Sequence, residues 1–206
     1  MYFYTSYWYN VDMESLQFSK PHLIILVGIP GAGKSFFAEH FAETFKSPLV
    51  STEIIRNKLF SVPSYNADED IIIDTVSDYL LDEVLKTNRT IVYRGKSASR
   101  ANRAELVKKC RSAGYEPLIV WVQTDIATAK KRYIKAIKVE TAAEKFETEL
   151  KKLAPPHAIE GAVVISGKHT YDSQLKIVLK KLVSTENAIK AANPSPNIEK
   201  RSHLIC

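Results

Sequence analysis

A chain of 206 residues that is 45% hydrophobic has material for one well-buried domain and too little for two large ones with a linker. A net charge of +6 and a pI near 9.1 favour an anionic partner, a preference that nucleotide phosphates alone can satisfy. Cys110 and Cys206 show neither metal-ligand nor disulfide spacing, and no apolar run nears the roughly 20 residues of a membrane helix or forms a signal peptide, so a reducing cytoplasmic location is expected.

Residues 1–20 open with the aromatic cluster Tyr2-Phe3-Tyr4-Thr5-Ser6-Tyr7-Trp8-Tyr9, read as an extension that packs on the domain or stacks on bases. The domain itself is expected over 21–184. The apolar run Leu23 to Val27 predicts a buried strand, and Gly28-Ile29-Pro30-Gly31-Ala32-Gly33-Lys34-Ser35 then matches the phosphate-loop pattern G-x-x-x-x-G-K-S/T. Glycines let the loop amides turn inward to phosphate oxygens, Lys34 reaches the outer phosphates, and the Ser35 hydroxyl is the magnesium ligand. The predicted nucleotide-binding set is therefore Gly28, Gly31, Ala32, Gly33, Lys34, Ser35 and Phe36. A helix follows, with Phe37, Phe41 and Phe45 at four-residue spacing.

Pro48 to Val50 predicts a short strand, and Ser51 or Thr52 can cap a helix carrying Glu53, Arg56 and Leu59. Glu53 and Arg56 share a face near the strand's carboxyl end, where open α/β sheets hold ligands, which favours a site over the alternative of an i,i+3 surface pair. A loop over 61–67 with Pro63 and Asn66 leads into an amphipathic helix, Asp68 to Lys86, whose apolar stripe runs through Ile72, Val76, Tyr79, Leu80 and Val84. Thr90-Ile91-Val92-Tyr93 reads as a central strand, Ser99 to about Ala113 as a helix ended by Gly114, and Pro117 to Val122 as another buried strand. Asp125 caps a helix through Ala129, Arg132, Tyr133 and Ile137. Its basic run, Lys130, Lys131, Arg132, Lys135 and Lys138, is either a solvated face or mobile charge over a phosphoryl-transfer site.

Thr141 to Leu153 predicts a short helix stopped by Pro155-Pro156, Ala162 to Ile165 a last strand, and Ser173 to Val183 a closing helix after a loop over 166–172. Residues 185–206, rich in Asn, Pro, Ser and Lys, are expected to form a loosely ordered tail. Alternating strands and helices give the expected fold class: α/β, a three-layer sandwich with a mostly parallel five-stranded sheet and helices on both faces. His22, His40, His157, His169 and His203 never approach metal-ligand spacing.

The residues resemble the P-loop kinases grouped around phage polynucleotide 5′-hydroxyl kinase, with zeta-toxin-type kinases as more distant relatives. The resemblance runs over about 23–183. It rests on the wording of the phosphate loop, on Val50-Ser51-Thr52-Glu53-Ile54-Ile55-Arg56 as a "strand, then S-T-D-x-x-R" segment, and on Ala154-Pro155-Pro156 with Glu160-Gly161 as a late "E-P-P … E-G-F" segment. It implies ATP with magnesium as cofactor, Glu53 in the place of the proton-accepting Asp, Arg56 holding the acceptor, and Arg132 as a lid residue with Lys34 at the transferred group. Where relatives read D-A-T-N after the third strand, this chain has Tyr93-Arg94-Gly95-Lys96-Ser97, so Arg94 replaces a carboxylate. Either Arg94 clamps an acidic or phosphorylated acceptor, or the acceptor site has decayed and nucleotide binding alone persists.

The implied activity is transfer of the γ-phosphate of ATP to a hydroxyl, whether a nucleic-acid 5′ end, a nucleoside or a small alcohol. A regulatory nucleotide-binding protein without transfer is the alternative. No N-K-x-D motif supports a GTPase switch, and no small helical second domain is expected that would build a ring motor.

Overall fold

The computed structural model describes residues 19–137 and 139–192. The aromatic cluster at the N-terminus, Lys138 of the basic run, and the tail beyond Ala192 with His203 and Cys206 lie outside the described residues.

The chain begins with β1 (His22–Val27), whose continuous apolar side chains are all buried, as a strand covered on both faces requires. Alternation along it feeds two cores. Ile24 and Leu26 face one, while Leu23, Ile25 and Val27 face the other. Helix α1 (Lys34–Phe45), strand β2 (Leu49–Ser51), helix α2 (Thr52–Leu59), helix α3 (Ala67–Leu85), strand β3 (Ile91–Arg94), helix α4 (Arg100–Ser112) and strand β4 (Glu116–Gln123) follow. Then come α5 (Ile126–Ile137), α6 (Ala142–Lys152), a short 3-10 turn at Ala158–Glu160, β5 (Val163–Ser166) and α7 (Tyr171–Ala192). The sheet order is β2-β3-β1-β4-β5 and every pairing in it is parallel. Phe37, Phe41, Phe146, Val178 and Leu182 from α1, α6 and α7 fill the core on one face. Ile55, Ile73, Leu81, Leu106 and Cys110 from α2, α3 and α4 fill it on the other. The fold is thus the expected three-layer α/β sandwich, and it is parallel throughout.

Two elements differ from the sequence reading. The buried side of α3 is Glu69, Ile73, Ser77, Leu81 and Leu85. Ile72 and Tyr79, expected on the buried stripe, are exposed. Two polar residues hold places on the inner face, so hydropathy alone selected a neighbouring stripe. The closing helix also runs well past Val183. Gln174, Val178, Leu182 and Glu186 form one buried row along α7, and the Glu186 carboxylate accepts hydrogen bonds from the Ser19 amide and hydroxyl at 3.0 Å. A carboxylate with that partner continues the row after the apolar signal has ended. Among the described residues, no helix is long and apolar enough to cross a membrane.

Candidate functional site

The carboxyl ends of β1, β2 and β3 converge where the chain, after building toward β2, returns through β3 and crosses to β4. In open α/β sheets such a switch point opens a ligand crevice. Residues 28–33 leave β1 here and run into α1. Gly33 is the N-cap at φ 110°, a left-handed conformation, and no side chain caps the helix. The first-turn amides of α1, including those of Ser35 and Phe36, are therefore available to an anion and lie at the positive end of the helix dipole. Gly31 is required sterically, because a Cβ there would stand 2.0 Å from the Ala129 carbonyl of α5.

Lys34 donates to the Gly28 carbonyl at 2.6 Å and the Ile29 carbonyl at 2.8 Å, curling its ammonium over the loop it serves. Burial and the nearby Arg94 push its pKa down to about 7, with Glu149 acting in the opposite sense. Phosphate oxygens are better partners for an ammonium than carbonyls, so a bound triphosphate offers Lys34 both charge and hydrogen bonds.

Arg94 ends β3, opposite Ser51 in the sheet register. Its Nη1 donates to Ser35 Oγ at 2.8 Å, while Nε and Nη2 donate to Ser51 Oγ at 3.1 and 2.8 Å. Ser51 is also the α2 N-cap, its hydroxyl accepting from the Ile54 amide at 3.3 Å, so of the two capping candidates Ser51 does the work. A continuous polar chain thus joins the phosphate loop to the start of α2.

Glu53 lies in the first turn of α2, half-buried, and its carboxylate accepts from the Tyr65 hydroxyl at 3.1 Å. Burial and Glu53 push the Tyr65 pKa up to about 12, so the phenol keeps its proton and serves as a donor. The Tyr65 ring is contacted by two cations, the Arg56 guanidinium at 4.8 Å and the Lys145 ammonium at 4.9 Å from its centroid. Arg56 itself is buried. One of its terminal nitrogens pairs with Glu69 and the other with Asp70 at 2.5 Å. Burial raises the Glu69 pKa, but the Ser64 hydroxyl and amide together with Arg56 outweigh it and hold the group at about 2. Arg56 thereby fastens α2 to α3 beneath the Glu53 wall, and Glu53 and Arg56 each take a different partner, so the alternative i,i+3 surface pair does not form among the described residues.

Arg132 is exposed on α5 and donates to the Gly167 carbonyl at 2.9 Å. Gly167 lies so near the phosphate loop that a Cβ on it would stand 1.7 Å from the Ala32 carbonyl, which also accepts from Thr124 Oγ1 at 2.8 Å. Asp125 caps α5 as expected, accepting from the Thr128 amide at 2.9 Å. Lys130 of the basic run pairs with Glu147.

The late Ala154-Pro155-Pro156 and Glu160-Gly161 segment is structural. Glu160 receives Arg103 Nε and Nη2 at 2.6 and 2.9 Å and closes a capping box with His157. Tyr65, Glu69, Arg103 and Gly167 were not singled out from the sequence. Each has a decisive partner distant in the chain, Glu53 for Tyr65, Arg56 for Glu69, Glu160 for Arg103 and Arg132 for Gly167, and the Asn66 helix cap is the local signal beside Tyr65 and Glu69.

The donor set suits a nucleotide triphosphate. It does not suit the magnesium ion that the loop wording implies. The Ser35 hydroxyl already accepts from a guanidinium, and the end of the adjacent strand, where a P-loop protein carries a metal-supporting Asp, holds Arg94. Among the described residues, no group of three or more His, Cys, Asp or Glu side chains could hold a metal ion.

No curated protein matches the sequence. In fold the chain is similar to a gluconokinase from Sinorhizobium meliloti, at TM-score 0.60 and 15% identity over 84% of this chain and 98% of that one. It is similar also to a sugar kinase from a Janibacter species, at TM-score 0.56 and 12% identity over 82% and 97% of the two chains. A family profile described as an AAA domain matches residues 23–155, from β1 through α6. The residues beyond it complete the same sheet with β5 and pack α7 on its face, so among the described residues no second helical domain follows. On the profile match and the phosphate loop that the structure builds, the chain belongs to the AAA domain family and carries a P-loop kinase-like fold.

Proposed function

We propose that the chain binds ATP and transfers its γ-phosphate to the hydroxyl of an acceptor. One observation carries this reading. The chain Ser35–Arg94–Ser51 joins the phosphate loop to the first turn of α2, where Tyr65 holds the Glu53 carboxylate. The loop amides of Gly28 to Phe36 and the Lys34 ammonium bind the phosphates. Glu53 takes the proton from the acceptor hydroxyl as its oxygen bonds to the γ-phosphorus and the bond to the β-phosphate oxygen breaks, releasing ADP. Arg132 moves from the Gly167 carbonyl to the transferred group. Arg56, held by Glu69 and Asp70, positions Glu53 and Tyr65 in place of gripping the acceptor directly.

The acceptor is a nucleic-acid 5′ end, a nucleoside or a small alcohol. The resemblance of the S-T-E-x-x-R segment to that of polynucleotide kinases supports the first of these, and nothing in the sequence fixes the choice. The gluconokinase and sugar kinase neighbours support including sugars and sugar acids among the small alcohols to be tried. A regulatory ATP-binding role without transfer is the second reading, favoured by the guanidinium on Ser35. The domain, expected over 21–184, is taken to include Ser19 and α7 as far as Glu186, which pair with each other, with the cytoplasm as its compartment, in keeping with a free, buried Cys110.

The test is a transfer screen with γ-labelled ATP against oligonucleotides, nucleosides, sugars and sugar acids. Glu53→Ala is expected to reduce labelling by about a hundredfold while leaving ATP affinity within about threefold, because the carboxylate acts on the acceptor and not on the phosphates held by the loop. Labelling at the wild-type rate in that variant removes Glu53 as proton acceptor. ATP binding with no acceptor labelled selects the regulatory reading. Tyr65→Phe, which keeps the ring between its two cations, is expected to cost transfer about tenfold by leaving Glu53 free to rotate. An unchanged transfer rate would show that Glu53 needs no such support.

A further inference from the structure

The phosphate site carries two fixed cations where a P-loop protein ordinarily shares the phosphates between one lysine and a metal ion. Lys34 curls over the loop, and Arg94 spans Ser35 and Ser51 through all of its guanidinium nitrogens. Among the described residues, neither cation forms an ion pair with a carboxylate. Two hydroxyls take three of the five Arg94 N–H groups, which leaves one N–H on each terminal nitrogen for a further acceptor and its charge without a direct counter-ion. Burial pushes the Arg94 pKa down, with Glu53 and Glu39 acting the other way, but a guanidinium stays protonated at any pH a protein survives. Such an arrangement is incomplete until an anion arrives.

Resting on the ATP-binding reading above, we propose that Arg94 supplies the charge that magnesium supplies elsewhere, so that this chain binds free ATP and gains nothing from the metal. Two properties of the side chain support this. A guanidinium is a planar fork that pairs with two phosphate oxygens at once. Its Nη1 also already holds one lone pair of the Ser35 hydroxyl, so a metal taking the other would sit directly beside a like charge. A lysine would not do the same, because its ammonium is a point charge and not a planar fork that can pair bidentately with phosphate oxygens.

The test is the affinity of the full chain for ATP, measured by calorimetry in excess EDTA and in excess magnesium, with the ATP-dependent shift of the unfolding midpoint as a second readout. Wild type is expected to bind ATP in EDTA at least as tightly as in magnesium. Arg94→Asp, which restores a carboxylate beside Ser35, is expected to reverse this and bind at least about tenfold more tightly with magnesium. Arg94→Gln keeps hydrogen-bonding capacity toward both serines and guards against misfolding of the Asp variant. It is expected to lose about tenfold in EDTA relative to wild type. Wild-type binding that is tenfold tighter in magnesium overturns the proposal and leaves ATP binding intact. Failure to bind ATP in either buffer overturns both readings.

Discussion

Replacing Lys34 by alanine is expected to weaken ATP binding by about a hundredfold at pH 6, roughly 3 kcal/mol and at the strong end for a charge-assisted hydrogen bond. The effect depends on pH in a way that identifies the ammonium. The free protein holds the Lys34 pKa at about 7 through burial and Arg94. A triphosphate binds the protonated form, so the competent fraction of free protein falls from roughly nine-tenths at pH 6 to roughly one-tenth at pH 8. Relative to Lys34→Ala, wild type should therefore lose about tenfold in affinity over that interval, the alanine variant serving as baseline for the ionisation of ATP itself. Lys34→Arg retains a charge that does not titrate and should lack the slope. A wild-type slope matching that of the alanine variant would place the lysine away from the phosphates.

The same shift has a sign for folding. The folded chain without nucleotide gives up the Lys34 proton near 7, while the unfolded chain keeps it to 10.5. Stability from this group is therefore lowest below pH 7 and rises as pH climbs from 7 to 10.5, the interval in which the unfolded state binds more protons. Bound ATP, by raising the folded pKa, should flatten that rise.

Loss of Arg103 is expected to destabilise the fold strongly. Arg103 is fully buried on α4. It donates to both oxygens of Glu160 and to the carbonyls of Ser97, Ala98 and Ala154 at 2.6 to 3.1 Å. Arg103→Met keeps much of the volume but strands a half-enclosed carboxylate and three carbonyls. The expected cost is about 3 to 5 kcal/mol, or roughly 6 to 20 °C in unfolding midpoint for a domain of this size. Combining it with Glu160→Gln should cost less than the sum of the two single changes, because the stranded charge is then absent. Arg103 and the other partners hold the Glu160 pKa below the usual carboxylate range. The stability this pairing gives is present above the ordinary Glu pKa and is lost as pH falls toward the lowered one, so the gap between wild type and Arg103→Met should narrow in acid. A cost under about 1 kcal/mol would mean that water replaces the guanidinium at the carbonyls. The consequence is functional too, since Ser97 and Ala98 belong to the loop that leaves Arg94, and Ala154 opens the segment that ties it to α6.

Local patterns make the nucleotide half legible in the amino-acid sequence. An apolar run, a glycine loop of fixed spacing and a phenylalanine-striped helix are contiguous in the chain, and each follows from short-range sterics or periodicity. The strand and helix alternation likewise implies a parallel sheet, because parallel neighbours need crossover helices. The extent of α7 and the inner face of α3 escape the same reasoning. Both depend on buried carboxylates, Glu186 and Glu69, whose burial is tolerable only with partners at Ser19 and at Ser64 and Arg56.

Local sequence specifies the fold class, the phosphate loop and the helix caps at Asp125 and near Ser51, and it places Arg94 at the end of the third strand. What Arg94 touches was decided only by the tertiary structure. Parallel pairing sets it opposite Ser51, and packing of α1 brings Ser35 within reach, although 59 residues separate Ser35 from Arg94 in the chain. Hydrogen bonds between such distant residues leave no periodic trace, because only the register of the strands and the packing of the helices bring the partners together.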